Sequence, residues 1–353
     1  MKAFAVKAFA APLEAIEIDD PVPTGTEVVV EVTRCGVCHS DLHIQEGFYD
    51  LGGGKRLSLA DRGVAPPIIM GHEVLGRLVA KGPDAPIGDD QMGRTFIVYP
   101  WLGCGQCEIC ARDEENYCPK KQQSVGVHRP GGYAEKCLVP HPKYLIDADG
   151  IDHTLAATYS CSGLTAYSAL KRTPIAPETD WLLLLGLGGV GYSGLQIAKA
   201  MGIRNIAVAD VDPGKRELAL KSGAAHAIDP REPDAADILA RASGGVAAAI
   251  DFVGARQTAE FGIAALRKGG SYVVVGLFGG DLTVSLPLLV LKAATLRGSH
   301  VGNLKELREL IDLVKAGKVA PMPVEQVAVA SVNESLDRLR AGKVPGRLVL
   351  ASA

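Results

Sequence analysis

Aromatic residues are scarce in this chain, at 5% of 353 positions. An imbalance of charge is missing too. The 37 basic and 40 acidic residues leave a formal net charge of −3, and no block of like charge stands out. A nucleic-acid or membrane-surface footprint would need such a block, so neither partner is expected. Long apolar runs are absent as well. The longest uncharged stretch, Trp181 to Ala198, only reaches the lower limit for a membrane span. Glycines at 186, 188, 189, 191 and 194 break it, and turn chemistry explains it better. At the N-terminus Lys2, Lys7 and Glu14 leave an apolar stretch too short for a signal peptide, so the expected compartment is the cytoplasm. There is no internal repeat and no low-complexity segment.

What is present points to a globular α/β protein. Apolar residues make up 47% and charged residues 22%, ordinary values that exclude disorder as the main state. At roughly 150 residues per domain, the length implies two domains or slightly more. Glycine is abundant, 41 residues, which with few aromatics suits tight strand-to-helix turns rather than a β-sandwich.

Residues 1–160 carry short β-like runs, such as Glu27–Val32 and Thr95–Tyr99, separated by turn clusters; a mostly β domain with long loops is expected. Residues 161–300 alternate apolar runs with helical patterns. The runs Trp181–Leu185, Ile206–Ala209, Val246–Val253 and Tyr272–Leu277 imply a parallel sheet covered on both faces. Residues 301–353 hold two helix candidates and a final strand. Leu304, Leu307, Leu310, Ile311 and Val314 share one helical face, and Ser331 with Glu334 has the pattern of a capping box.

The strand Trp181–Leu185 runs into Gly186-Leu187-Gly188-Gly189-Val190-Gly191, then a helical stretch, then a strand ending in Asp210. A GxGxxG with a strand before it, a helix after it and an acid about 20 residues on is the fingerprint of a dinucleotide site. Glycines let the backbone approach a pyrophosphate, and the helix N-terminus supplies N–H donors. Asp210 would hold the adenosine ribose hydroxyls and repel a 2′-phosphate, favouring NAD over NADP. Lys215 could approach the same ribose.

Cysteines are unevenly placed. Cys104, Cys107, Cys110 and Cys118 have a spacing that folds four thiolates around a tetrahedral zinc, with no open position and hence a structural role. Two disulfides are the rival reading, less suited to the expected compartment. Cys35, Cys38, Ser40, Asp41 and His43 fall in one short motif, and Gly71-His72-Glu73 and Ser160-Cys161 follow downstream. Spacing alone does not bring these together. Cys35 and Cys38 as a redox pair would need a βαβ context that is absent here.

The set CGVCHSDLH (35–43), GHE (71–73), the four-cysteine loop, CSGLTAY (161–167) and GLGGVG (186–191), in this order, resembles the zinc-dependent medium-chain alcohol dehydrogenases. The resemblance covers essentially the whole chain, and VGLFGGDL (275–282) and GSHVGN (298–303) look most like the tetrameric, archaeal-type branch. It implies a Rossmann doubly wound parallel sheet inserted in a mostly β, GroES-like catalytic domain. The implied division is 1–160 with 301–353 as the zinc domain, including a structural-zinc lobe near 100–120, and 161–300 for the dinucleotide.

Carried over by motif, Cys38, His72 and Cys161 would hold a catalytic zinc. Two thiolates and one imidazole are the ligand set known for the alcohol dehydrogenase metal, and they leave a fourth position open. Glu73 would sit behind the metal and bind it transiently as the fourth ligand exchanges. Ser40 would hydrogen-bond the alcohol oxygen and His43 would pass the proton to solvent, a task suited to a side chain with an unperturbed pKa of about 6.5. His39 and Arg347 would face the cofactor phosphates. Thr165, Val275, Leu277, His300 and Val301 fall near where the family lines its cofactor.

The segment between His43 and His72 is longer than in many members of this family. Phe48 and Tyr49 from it, with Trp101, are expected to shape an apolar substrate pocket, unless they pack under a surface loop. The expected reaction interconverts an alcohol and its aldehyde or ketone with NAD, in a homo-oligomer, a tetramer ahead of a dimer. A polyol or amino-alcohol dehydrogenase with the same machinery remains an alternative. So does a non-catalytic relative that binds cofactor as a structural or regulatory module. A zinc-free reductase of the same fold is disfavoured by the two zinc motifs.

Overall fold

The structure, a computed structural model, describes residues 1–352. Its central feature is a six-stranded, all-parallel sheet. The spatial order is His226–Ile228, Asn205–Ala209, Trp181–Leu185, Val246–Asp251, Leu266–Val274 and Thr295–Gly298. In order of the chain this is 3-2-1-4-5-6, the doubly wound arrangement that opens a ligand crevice at the carboxyl end of its first strand.

The strand Trp181–Leu185 shows why a continuous apolar run is needed there. Successive side chains point to opposite faces. Leu182 and Leu184 pack with Leu195 and Ile197 of the helix Gly189–Ala200. Leu183 and Leu185 pack on the other face with Leu239, Ala259 and Leu266. The uncharged stretch 181–198 is thus a strand, a glycine turn and a helix. No helix of the described residues is long and apolar enough to cross a membrane.

The second unit is antiparallel in the main. Its seven-stranded sheet has Val28–Val37 at the centre, paired with Glu73–Lys81, Lys136–Val139 and Arg347–Ala351. Arg347–Ala351 also pairs, in parallel, with Val324–Ala328, so the chain returns to this sheet after leaving the parallel one. A small hairpin, Phe48–Gly52 with Lys55–Ser58, stands in the long segment after His43. The core is continuous between the units: Leu164 and Leu170 pack in the same cluster as Val28, Leu75, Leu182 and Ile250.

Two local expectations fail. The strand expected at Tyr272–Leu277 begins at Leu266 and ends at Val274, and Leu277 is exposed beyond it. Its last paired residue is Val274, after which Val275 and Gly276 both donate to the carbonyl of Asp251 and turn the chain. Ser331 precedes the helix Val332–Arg340 but makes no side-chain cap, because it already ends a 3₁₀ turn; its carbonyl accepts from the Ser335 hydroxyl instead. The capping box is found one helix earlier, where Asn303 and Glu306 bond reciprocally at the start of Leu304–Lys315.

Candidate active site

Cys38 follows the strand Val28–Val37 and caps the helix His39–Glu46. His72 follows Gly71, whose φ of 91° suits glycine and whose missing side chain leaves room for Tyr133 and the Cys35 thiol. Cys161 lies in a single π-helical turn, Tyr159–Gly163, between two α-helices. Such turns often mark functional sites. The indole N–H of Trp101 donates to the Ser160 carbonyl of this turn at 3.0 Å.

These elements bring Cys38, His72, Glu73 and Cys161 together, with all four ligand atoms within 4.8 Å of one another and every residue buried. The two sulfurs are 3.9 Å apart. A disulfide would need about 2.05 Å. Zn–S bonds of about 2.3 Å at a tetrahedral centre put sulfurs about 3.8 Å apart. Both ring nitrogens of His72 are buried without a hydrogen bond, and so is Oε1 of Glu73. Nδ1 of His72 lies 3.2 Å from Oδ1 of Asp41, which leaves Nε2 for another partner. The donor set fits zinc.

Charge is managed closely here. The Cys38 thiol is held well below its ordinary pKa, first by its contact with Cys161, and by His72 and Arg347, against burial. Burial raises Glu73 to about 7, and Arg347 opposes it. The Arg347 guanidinium pairs with Oε2 of Glu73. Gly36 makes room for that carboxylate, since a Cβ there would collide with it.

The four-cysteine loop closes as its spacing implies. Sulfur separations are 3.4 Å for Cys107–Cys110 and 3.9 Å for Cys104–Cys110 and Cys107–Cys118. All four ligand atoms lie within 4.8 Å. Burial would raise Cys118, yet backbone N–H groups of Lys121, Cys104 and Lys120 bring it down to about 6. Hydrogen-bonded thiolates at metal distance fit a second zinc.

The glycine turn has the predicted shape. Gly186 has a φ of 83°, and a Cβ on Gly191 would collide with its carbonyl. Nothing lies within 4 Å of where a Cβ of Gly188 would be. Gly189 and Val190 open the helix Gly189–Ala200, whose first N–H groups have no partner inside the helix. Asp210 follows the strand Asn205–Ala209, and its carboxylate accepts from Leu187 N at 2.6 Å and Asp212 N at 2.9 Å, which fixes it beside the turn. Thr165 is buried with its hydroxyl unpartnered. The open turn and the acid fit a dinucleotide.

Arg347 is not on the surface. It is buried, and its stem lies against Gly189 while its guanidinium reaches Glu73. His39 is exposed at one edge, and its ring pKa is lowered, mainly by the protein around it and also by Arg347, His43 and Lys215. Arg347 thus bridges the glycine turn and the metal cluster. Ser40 and His43 lie three apart on one short helix, both half-buried. Val275 and Val301 are half-buried, and Val301 has a left-handed backbone with a φ of 44°.

The three pocket candidates separate. The Trp101 ring packs 5.3 Å from His72 and 6.4 Å from His300. Tyr49 packs 5.0 Å from the His43 ring. Phe48 lies under the Arg56 guanidinium, at 4.1 Å, within the hairpin.

Sequence reasoning missed Asp41 and Tyr133. Asp41 is fully buried; its Oδ2 accepts from Cys38 N at 2.8 Å and from the Tyr133 hydroxyl at 2.9 Å, while Oδ1 faces His72. A carboxylate behind a metal-binding histidine orients the ring and raises its basicity. An acid in the first turn of a helix that starts at a ligand cysteine was the available signal. Nothing in the sequence points to Tyr133.

Residues 24–149 match the alcohol dehydrogenase GroES-like domain, and residues 189–316 match the zinc-binding dehydrogenase family. The chain is 35% identical over 352 residues to an NAD-dependent alcohol dehydrogenase of Sulfurisphaera tokodaii, with 99% of both proteins covered. It is 36% identical to an alcohol dehydrogenase of Geobacillus stearothermophilus, covering 99% of this chain and 98% of the other. Among solved structures, the alcohol dehydrogenase of Aeropyrum pernix superposes with a TM-score of 0.88 at 28% identity, covering 99% of this chain and all of that one. An acetophenone reductase of Geotrichum candidum, solved with NAD, gives 0.84 at 28% identity, over 99% and 96% of the two chains.

Proposed function

Since the chain belongs to the zinc-dependent medium-chain alcohol dehydrogenase family, we propose that its buried Cys38, His72 and Cys161 hold a catalytic zinc and that its glycine turn holds NAD. The protein interconverts an alcohol with its aldehyde or ketone by hydride transfer to or from NAD. The observation that carries this reading is the convergence of Cys38, His72 and Cys161 at metal distance, with an unpartnered imidazole, joined through Glu73 and Arg347 to an open dinucleotide turn.

When bound, zinc supplies Lewis acidity toward the alcohol oxygen and NAD supplies the hydride acceptor. The chain does the rest. Asp41 fixes the His72 ring from behind. Glu73, paired with Arg347, stands ready behind the ligands. Ser40 orients the substrate hydroxyl, and His43, one turn further along the same helix face, hands its proton to solvent. Asp210 and Lys215 take the adenosine ribose; His39 and Arg347 sit at the phosphates; Thr165, Val275, Leu277 and Val301 line the nicotinamide end. Trp101 closes the pocket above His72, and Tyr49, packed on His43, borders it with Phe48 further out. Cys104, Cys107, Cys110 and Cys118 hold the second, structural zinc.

The working division of the chain is 1–160 with 301–353, and 161–300. Pairing of Arg347–Ala351 with Val28–Val37 supports it. The protein acts in the cytoplasm as a homo-oligomer, a tetramer ahead of a dimer. Support for assembly comes from the exposed edge strand Thr295–Gly298 and from the exposed Leu286, Leu288, Val290 and Leu291 beside it.

The test is a screen of primary, secondary, aromatic and polyol substrates with zinc-loaded protein, read by NADH absorbance. NADH formation with at least one simple alcohol, lost in Cys38→Ser, is expected. No turnover of any alcohol by fully zinc-loaded protein would contradict the reading.

A further inference from the structure

The long segment after His43 does more than lengthen a loop. Its 3₁₀ turn, Ala60–Arg62, carries Arg62 to the strip of chain that follows the structural-zinc lobe. There an Arg62 N–H donates to Oε1 of Gln122 at 3.3 Å. Between them lies a hollow of about 490 Å³, lined by Arg62, Lys120, Lys121, Gln122, Gln123 and His128, and no aspartate or glutamate joins the lining. Among the described residues, none of these three cationic side chains has a carboxylate oxygen within 4 Å. Nδ1 of His128 is buried without a partner.

The strip of chain that walls this hollow packs against the metal cluster. Gln123 N and Val125 N bond the carbonyls of Leu102 and Pro100, so its wall runs beside Trp101. Trp101 stands between His72 and His300. A Cβ on Gly126 would meet the backbone of Gly71 and His72. Gln123 and His128, which line the hollow, flank that Gly126 along the chain.

The hollow's cations have one competing explanation. Cys118 also lines it, and four thiolates around zinc carry a net negative charge that draws lysines. Backbone N–H groups of Lys120 and Lys121 already serve the Cys118 sulfur. Arg62 does not come from that lobe, and nothing in the metal loop requires it.

Resting on the dehydrogenase reading above, we infer that the substrate carries a carboxylate at the end remote from the reacting hydroxyl or carbonyl, received by Arg62 with donors from Gln122 and His128. A planar guanidinium meets a carboxylate with two parallel N–H donors, the geometry a neutral alcohol tail cannot use.

The experiment compares a graded series of ω-hydroxycarboxylates with 1-alkanols of equal chain length, on the zinc-loaded enzyme with NAD. The best hydroxycarboxylate is expected to exceed its alkanol in kcat/KM, by a margin that shrinks with added salt. Arg62→Gln should reduce that ratio about tenfold, the scale of one hydrogen-bonded charge, and Arg62→Lys should keep part of it. A preference for alkanols at every length, or an Arg62→Gln variant with an unchanged ratio, overturns the inference. Calorimetric binding of unreactive alkanedioates to the NADH-loaded enzyme gives a readout without turnover. Tighter binding to wild type than to Arg62→Gln with no alcohol oxidised keeps the carboxylate site and removes the dehydrogenase reading. Alkanol oxidation with equal dioate binding by both proteins removes the carboxylate site alone.

Discussion

Arg347 and Glu73, 274 residues apart in sequence, form a buried ion pair that joins the dinucleotide turn to the metal cluster. The arginine stem lies on Gly189 and the glutamate stands among the ligands. Removing one partner strands the other charge in the interior, at a cost of about 3–5 kcal/mol. Glu73→Gln and Arg347→Met should each lower stability on that scale, and the double variant should lose less than the two together. Urea unfolding in a double-mutant cycle measures this; simple additivity would show that the pair is not coupled.

Asp41→Asn keeps the shape of the acid behind His72 and removes its charge. Zinc affinity at the Cys38 site is expected to fall about 10- to 100-fold, while zinc in the four-cysteine loop stays. Competition with a chelator, followed by metal analysis, separates the two ions. Equal loss from both sites would count against Asp41 as the group that orients His72.

Asp210, proposed above as the ribose ligand, also accepts from Leu187 N. Asp210→Ala would disturb the turn as well as the cofactor, so Asp210→Asn is the cleaner variant. It should narrow the preference for NAD over NADP about tenfold or more, the scale of a lost charged hydrogen bond. Dissociation constants for both cofactors, from protein fluorescence, give the ratio. An unchanged ratio removes Asp210 from the ribose site.

His43 has its pKa lowered by burial, against the pull of Glu46 and Cys38. The native protein therefore binds less proton than the unfolded chain just below pH 6.5. Stability from this group is present above about 6.5 and is lost as pH falls through the folded pKa. The relay form is the neutral ring, so kcat/KM for oxidation should fall on the acid side, below 6.5. His43→Gln should remove that limb and slow oxidation by no more than about a hundredfold, since solvent can take the last proton. A pH–rate profile unmoved by the substitution would end the relay role.

Much of this was legible in the sequence because its signals are local. The turn at 186–191 declares itself through a strand, glycines and an acid at fixed spacing, and the loop at 104–118 through four thiols on a short tether. Cys38, His72 and Cys161 lie far apart along the chain, and only a family resemblance linked them; a π turn and a left-handed glycine do the joining, and neither leaves a periodic trace. Asp41 drew no role from the sequence, because its partner His72 is 31 positions away along the chain. Arg347 read only as a phosphate ligand, since nothing local reveals a buried Glu73 beside it. Arg62 and His128 carried no pattern at all, as a hollow between two loops has no period.

The most direct test is an anomalous difference map at the zinc edge, from crystals of the protein grown with zinc and NAD. Two peaks per chain are expected, one inside the four-cysteine loop and one at bonding distance from the Cys38 and Cys161 sulfurs and Nε2 of His72, with the nicotinamide ring beside it. A single peak in the loop, with these three side chains metal-free, would contradict the account.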